Sequence, residues 1–320
     1  MIKLSIIIPQ YKESEETLRK LLNTIANQRQ VNFNELEVII VNDCSDFMPS
    51  MKLTKCYEFN IQILRTQKNG GAGLARNLGT EHAQGKYILY LDADDCLISC
   101  LSLRYVMNYQ GHADIIKGKF FNESANKVDD GWTWIHGKFY KKTFLEENQL
   151  SFPKELRVNE DAYFNMLAGN YTRNIEEIDE IITFWAKNPN STTRENSSEF
   201  AINCFSDYIL GKLLGFRKLK ERGFTEVLKM SLIDFFVYSY YYLQIREFYR
   251  GNEEVKKKQK DYETSIARII KEFWNEFRTF TESDFDLSLS FVYSSFSNYV
   301  DYRPRETFDN FRTRIYEKGV

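Results

Sequence analysis

Apolar positions follow two regimes along the 320-residue chain. Over roughly the first 120 residues, short runs rich in Ile, Val and Leu alternate with stretches of helical period, the pattern of an open, largely parallel α/β sheet. Strands are predicted at 4–8, 36–41, 61–64, 87–91 and 114–120. Between the first two, Leu18, Leu21, Leu22 and Ile25 recur at helical spacing behind Ser14, whose hydroxyl suits an N-cap. A second helix is predicted to start near Gly71 and run through Leu78, and a third to cover 99–109. Residues 121–190 read as an extension of the same domain, with aromatic segments at 132–140 and 181–185. Farther on, helical periods occupy 205–222, 226–249 and 253–280, broken at Gly223 and at Gly251-Asn252. The expected division is an α/β domain over 1–195 and a helical domain over 196–320.

Charge and cysteine content narrow the partners. Lys and Arg number 43 against 45 Asp and Glu, so no general field draws the chain to nucleic acid or anionic lipid. The five cysteines, Cys44, Cys56, Cys96, Cys100 and Cys204, are odd in number and scattered, which fits a reducing cytoplasmic setting better than a disulfide framework. Residues 1–8 lack a basic leader and a cleavage site, so no signal peptide is expected. The apolar stretch 232–243 holds Asp234 and four tyrosines and falls short of the roughly 20 residues of a bilayer span. Lys256-Lys257-Lys258 reads as one turn of a solvated helix face.

Open α/β sheets gather polar loops at the carboxyl ends of their strands. The residues there are Pro9, Tyr11 and Glu13 after the first strand, Asn42, Asp43 and Asp46 after the second, and Asp92, Asp94 and Asp95 after the fourth. Three carboxylates so close repel unless something compensates them. A divalent cation such as Mn²⁺ or Mg²⁺ would do so and would also hold a diphosphate; a solvated acidic turn is the alternative.

The segment from Asn69 through Gly70, Gly71 and Gly73 to Arg76 looks like a phosphate loop. Arg76 stands where a third small residue belongs, and the loop follows the third strand instead of the first, which argues against a dinucleotide-dependent oxidoreductase. A helix N-terminus that turns its N–H groups and Arg76 toward anionic oxygens or a sugar is the better reading; a glycine-rich helix start with Arg76 in an ion pair is the other. No Walker loop or nucleophile elbow is present. Glu160 and Asp161 precede a short apolar helix, as dipole-favoured carboxylates or as a general base. His136 lies among aromatics and suits either a structural role or contact with metal or phosphate.

Taken in order, these segments resemble the family 2 glycosyltransferases of GT-A fold. The matching parts are Ser5-Ile6-Ile7-Ile8-Pro9 with Tyr11 and Glu13, Val41-Asn42-Asp43-Cys44-Ser45-Asp46, Ala75-Arg76-Asn77 with Gly79, Asp92-Ala93-Asp94-Asp95, His136-Gly137-Lys138 and Glu160-Asp161. Gln10, Lys12 and Cys44 depart from the usual pattern. The resemblance covers about residues 1–190. It implies a Rossmann-like, mostly parallel sheet flanked by helices, followed by a mainly α-helical region.

For activity, the resemblance implies inverting, metal-dependent transfer from a nucleotide-diphosphate sugar, by analogy a UDP-sugar, to an acceptor hydroxyl. Pro9, Tyr11, Glu13 and Asp43 would hold base and ribose, and Asn69, Gly71, Arg76, Asp92 and Lys138 would line the donor pocket. Asp94, with Asp92 and His136, would bind Mn²⁺ or Mg²⁺; Asp95 would lie near the transferred sugar. Asp161 would be the base, with Glu160 beside it. A non-catalytic nucleotide-sugar-binding module is the second reading. The acceptor is expected to be a glycan, a teichoic-acid-like polymer, a lipid-linked glycan or modified DNA, met in part by the basic stretch around Arg303, Arg305, Arg312 and Arg314. The helical region is expected to bind acceptor or form a homo-oligomer, with at most peripheral membrane contact.

Overall fold

The computed structural model describes residues 1–188, 198–246, 253–295, 304 and 306–319. Two compact units result, Met1–Arg194 and Glu195–Val320.

In the first unit, β1 (Leu4–Gln10) pairs in parallel with β2 (Leu36–Asn42) and β4 (Tyr87–Tyr90), and β2 pairs with β3 (Asn60–Arg65). Every residue of β1, β2 and β4 is buried, which explains why their sequences are nearly continuous apolar runs. Both faces of these strands are covered. Helix α1 (Glu15–Ala26) buries Leu18, Leu21, Leu22 and Ile25, and Ser14 Oγ accepts from Thr17 N at its start. Helix α2 (Ala72–His82) begins after Gly71, whose φ of +86° favours a residue without a side chain.

Beyond β4 the sheet becomes mixed. Among the described residues it has nine strands, in the order β3-β2-β1-β4-β8-β6-β9-β5 with β7 paired to β6. The added strands are β5 (Cys96–Leu97), β6 (Ile115–Asn122), β7 (Lys127–Asp129), β8 (Lys138–Lys141) and β9 (Ile175–Trp185). Of these, β6 was predicted as a strand, and most of β8 and the end of β9 fall in the two aromatic segments. The predicted helix at 99–109 contracts to α3 (Arg104–Asn108), because the chain first makes turns around Ser99 and Ser102 while Leu103 N donates to Gln28 Oε1. Two further helices, α4 (Lys142–Glu147) and α5 (Glu160–Tyr171), complete the unit.

The second unit is helical: α6 (Ser198–Glu221), α7 (Thr225–Tyr241), α8 (Glu253–Glu272), α9 (Trp274–Phe277), α10 (Glu282–Ser295) and α11 (Phe308–Gly319). Gly223, at φ +73°, separates the first two as expected; Gly251 and Asn252 lie outside the described residues. Aromatic rings fill the core, with Phe205 stacked on Tyr242 at 3.8 Å and Phe236 against Phe311 at 5.4 Å. No described helix is long and apolar enough to cross a membrane.

Candidate functional site

Strand pairing brings the predicted residues together. In the parallel register Pro9 faces Val41 and Ile7 faces Tyr90, so the loops leaving β1, β2 and β4 emerge side by side. Antiparallel β8 sets Phe139 opposite Leu89, which brings the 136–138 segment alongside the residues that follow β4. Strand β9 pairs with β5 through Phe184 and Cys96, and Ala186 N donates to Asp95 Oδ1 at 2.9 Å.

Arg76 joins the distant segments. It is 3% exposed; its Nη2 donates to Asp92 Oδ1 and its Nη1 to Glu160 Oε1, both at 2.7 Å, and the guanidinium lies 5.3 Å from the centre of the Phe152 ring. Arg76 is thus turned into the protein, with Glu160 and Asp92 as its ion-pair partners. The close approach of α2 and α5 depends on Gly73, where a Cβ would come within 3.0 Å of Glu160 Cγ and of Phe152 Cβ. Asn77 makes paired bonds with the backbone of Phe152, at 2.8 and 2.9 Å, and fixes the same junction.

Asp161, the second residue of α5, lies beside this pair and is half-buried. Burial, then the charge of Glu160, push its carboxyl up to about 7, while Arg76 pulls the other way. For Asp92, burial favours the neutral acid, but Arg76 prevails and holds the group below the usual carboxylate range. Two neighbouring carboxyls therefore have opposite tendencies, one suited to holding a cation and one to exchanging a proton.

Asp92, Asp95 and His136 each offer a ligand atom, and these atoms lie within 4.8 Å of one another. His136 is 3% exposed and packed against Trp185, with ring centres 4.8 Å apart, and against Phe120 at 5.2 Å. Burial drives its imidazole down to about 4, so it is neutral at physiological pH, as a metal-binding nitrogen must be. Its Nδ1 is 3.5 Å from Asp95 Oδ2 and makes no hydrogen bond among the described residues. Two carboxylates and one neutral imidazole fit Mn²⁺, and also Mg²⁺ if water completes the shell. Asp94, expected as the direct ligand, has its Oδ2 accepting from Asn188 Nδ2 at 2.7 Å, and the three-residue cluster contains Asp95.

The nucleotide-side residues form an adjoining network. Glu13 Oε2 accepts from Tyr11 N at 2.6 Å; burial raises the Glu13 carboxyl, and the charges of Asp94 and Asp92 add to the effect. Pro9 is buried and Tyr11 is 41% exposed. Asp43, 2% exposed, accepts from Thr66 Oγ1 at 2.8 Å, Gly70 N at 3.0 Å and Gly71 N at 2.7 Å. The glycine-loop amides expected to face an anionic ligand are thus turned onto Asp43. Asn69 is held through both its side chain and its carbonyl oxygen by Arg157.

Lys138 departs most from expectation. It is 1% exposed, and its Nζ donates to the carbonyls of Gly131, Trp134 and His136 at 2.9, 2.7 and 3.3 Å. Burial brings its amine down to about 7. Lys138 therefore ties the 131–138 loop and the backbone of His136 in place instead of reaching a donor. The residues missed in the sequence are Thr66, Arg157, Trp185 and Asn188; the run of tryptophans at 132, 134 and 185 was the available signal.

Residues 5–165, half of the chain, match the family described as Glycosyl transferase family 2. Poly(ribitol-phosphate) beta-N-acetylglucosaminyltransferase TarS of Staphylococcus aureus is 31% identical over 190 residues, 52% of this chain and 32% of that protein. Poly(ribitol-phosphate) beta-glucosyltransferase of Bacillus spizizenii is 32% identical over 190 residues, 52% of this chain and 29% of that protein. The match thus spans about a third of the length of these curated relatives. In fold, the crystal structure of S. aureus TarS 1–349 in complex with UDP superposes with a TM-score of 0.66 at 21% identity, covering 100% of this chain and 92% of that one. With its family match running from the first strand to the helix that carries Asp161, the chain belongs to the family 2 glycosyltransferases.

Proposed function

We propose that the chain transfers a sugar from a nucleotide-diphosphate sugar, a UDP-sugar, to an acceptor hydroxyl with inversion at the anomeric carbon. The observation that carries this reading is the link through Arg76, which sets a cation-type cluster of Asp92, Asp95 and His136 next to a separate, proton-hungry carboxyl on Asp161. The names of the relatives, which specify N-acetylglucosaminyl and glucosyl transfer, and the UDP-bound fold neighbour support a uridine donor. The relatives also support a poly(polyol-phosphate) acceptor.

In this mechanism Tyr11, Glu13 and Asp43 flank the base and ribose at the ends of β1 and β2. Asp92, Asp95 and His136 would hold a divalent cation, which would supply Lewis-acid stabilisation of the charge on the departing diphosphate. Trp185 and Phe120 exclude water from one side of His136, which strengthens electrostatic interactions there. Arg76 keeps Asp92 ionised. Asp161 accepts the acceptor's hydroxyl proton as its oxygen bonds to the anomeric carbon and the carbon–phosphate-oxygen bond breaks. With a carboxyl near 7, Asp161 is poised to take that proton at neutral pH. Asp94 and Glu160 act indirectly, through Asn188 and Arg76.

A panel of nucleotide sugars incubated with and without Mn²⁺, read by release of nucleoside diphosphate, tests this function. UDP release from one uridine donor, lost with a chelator, is expected. A panel with no release from any donor rejects the proposal.

A further inference from the structure

The lysine run of α8 has a place in the helical unit that donor chemistry does not use. Helices α8 and α11 border a cavity of about 590 Å³, within the size range of small-molecule sites. Lys256, Lys257 and Lys260 reach it from α8, and Arg314 and Lys318 from α11. Glu263 and Glu306 are the carboxylates among its described lining, so the wall carries a formal excess of three positive charges.

The cations divide into two groups. Glu263, 4% exposed, accepts from Arg314 Nη1 at 2.6 Å, Lys318 Nζ at 2.5 Å and Gln259 Nε2 at 2.9 Å, and Glu306 also pairs with Arg314. Arg314 and Lys318 are therefore used within the wall. Lys256 pairs with Glu253 one turn away, and Lys257 pairs with Glu254 in an exposed contact that a stronger anion displaces easily. Lys260 makes no ion pair among the described residues. Gln244, 1% exposed, also lines the cavity, and its Nε2 donates to no acceptor among the described residues. A buried amide donor in that state is costly unless a ligand or water accepts from it.

Three lysine ammoniums and an amide donor around one space suit an anion with several acceptor oxygens and full charge. A phosphate group meets that description better than a carboxylate, and lysine binds it as a mobile point charge. We infer that this cavity of the helical unit is a binding site for a phosphate group. The phosphate is either free or part of a phosphodiester chain; the second case rests on the acceptor class proposed above, the first does not.

Isothermal titration calorimetry on the full chain at low ionic strength decides, with inorganic phosphate and a synthetic ribitol-phosphate oligomer as separate probes. The expected result is oligomer binding that weakens at least about tenfold in Lys260→Glu and survives in Lys260→Arg, with thermal midpoint and donor hydrolysis unchanged in both. Inorganic phosphate alone showing this response supports the site and assigns it to free phosphate. No binding of either probe, or equal affinities in the wild type and Lys260→Glu, overturns the inference. If the wild type releases no UDP from any donor but still binds a probe through Lys260, glycosyl transfer fails and the phosphate site stands.

Discussion

The two units bury different chemistry. In Met1–Arg194 the interior holds Arg76, Asp95, His136, Lys138 and Glu160, crowded around the ends of a few strands. In Glu195–Val320 the interior is largely Phe, Tyr, Leu and Ile, with Ser239, Gln244 and Glu263 as the buried polar side chains among the described residues. Glu263 is compensated by two cations, whereas His136 Nδ1 and Arg76 Nε have no hydrogen-bond partner among the described residues. Burying charge without full compensation weakens a fold, so it persists where it serves chemistry. The first unit accepts that weakness around its candidate site. The second is built by packing; among its described residues Gln244 Nε2 and Glu276 Oε2 are the buried side-chain atoms without a hydrogen-bond partner, and the first adjoins the basic cavity.

The sharpest test of this contrast is Asp161→Asn, which should lower transfer by about 10²–10⁴-fold while leaving the donor dissociation constant unchanged. Paired measurements of turnover and donor binding check it, and retained turnover removes Asp161 as the base. Next come two substitutions of similar cost and different consequence. Arg76→Ala leaves Asp92 and the buried Glu160 without their cation and should destabilise by about 3–5 kcal/mol. Phe236→Ala in the helical core should also cost about 3–5 kcal/mol. Urea unfolding measures both. Only the first should also weaken Mn²⁺-dependent donor hydrolysis under conditions where the variant remains folded; an equal effect from Phe236→Ala breaks the comparison.

His136→Ala should raise the Mn²⁺ concentration needed for half-maximal UDP release by at least about tenfold, and Asp94→Ala by less, since Asp94 is held by Asn188. A larger effect at Asp94 would return it to the ligand set. The smallest effect is in pH. Because Asp161 must be ionised to take a proton and its carboxyl lies at about 7, turnover should fall about tenfold per unit below that value and level off above it. The sign for stability is the reverse: with its pKa raised from 3.8, folded Asp161 retains a proton that the unfolded chain releases, so its contribution to stability declines as pH rises from about 4 to about 7. A pH–rate profile without an acidic limb near neutrality would contradict this assignment.

Much of the first unit was legible without coordinates. Strands buried on both faces must be apolar throughout, so β1, β2 and β4 stand out, and a chain leaving such a strand turns polar at once, which exposes Pro9, Glu13, Asp43 and Asp92 to inspection. Strands β5, β7 and β8 are two to four residues long and carry no continuous apolar run; pairing makes them strands, nonlocal for β5 and β8 and through a tight hairpin with β6 for β7. Helix breaks were easier to read than helix extents, as Gly223 shows beside the shortened α3.

The amino-acid sequence by itself determined which segments carry the acidic and glycine-rich chemistry and in what order, because hydrophobic period, turn residues and charge are local properties of the chain. Tertiary structure alone decided what each polar group faces. It turned Arg76 inward between Asp92 and Glu160, spent Lys138 on three carbonyls, closed the glycine loop onto Asp43 and gathered Asp95 with Asp92 and His136. Those outcomes depend on directions and on a few ångströms between residues far apart in the chain, and only packing sets them.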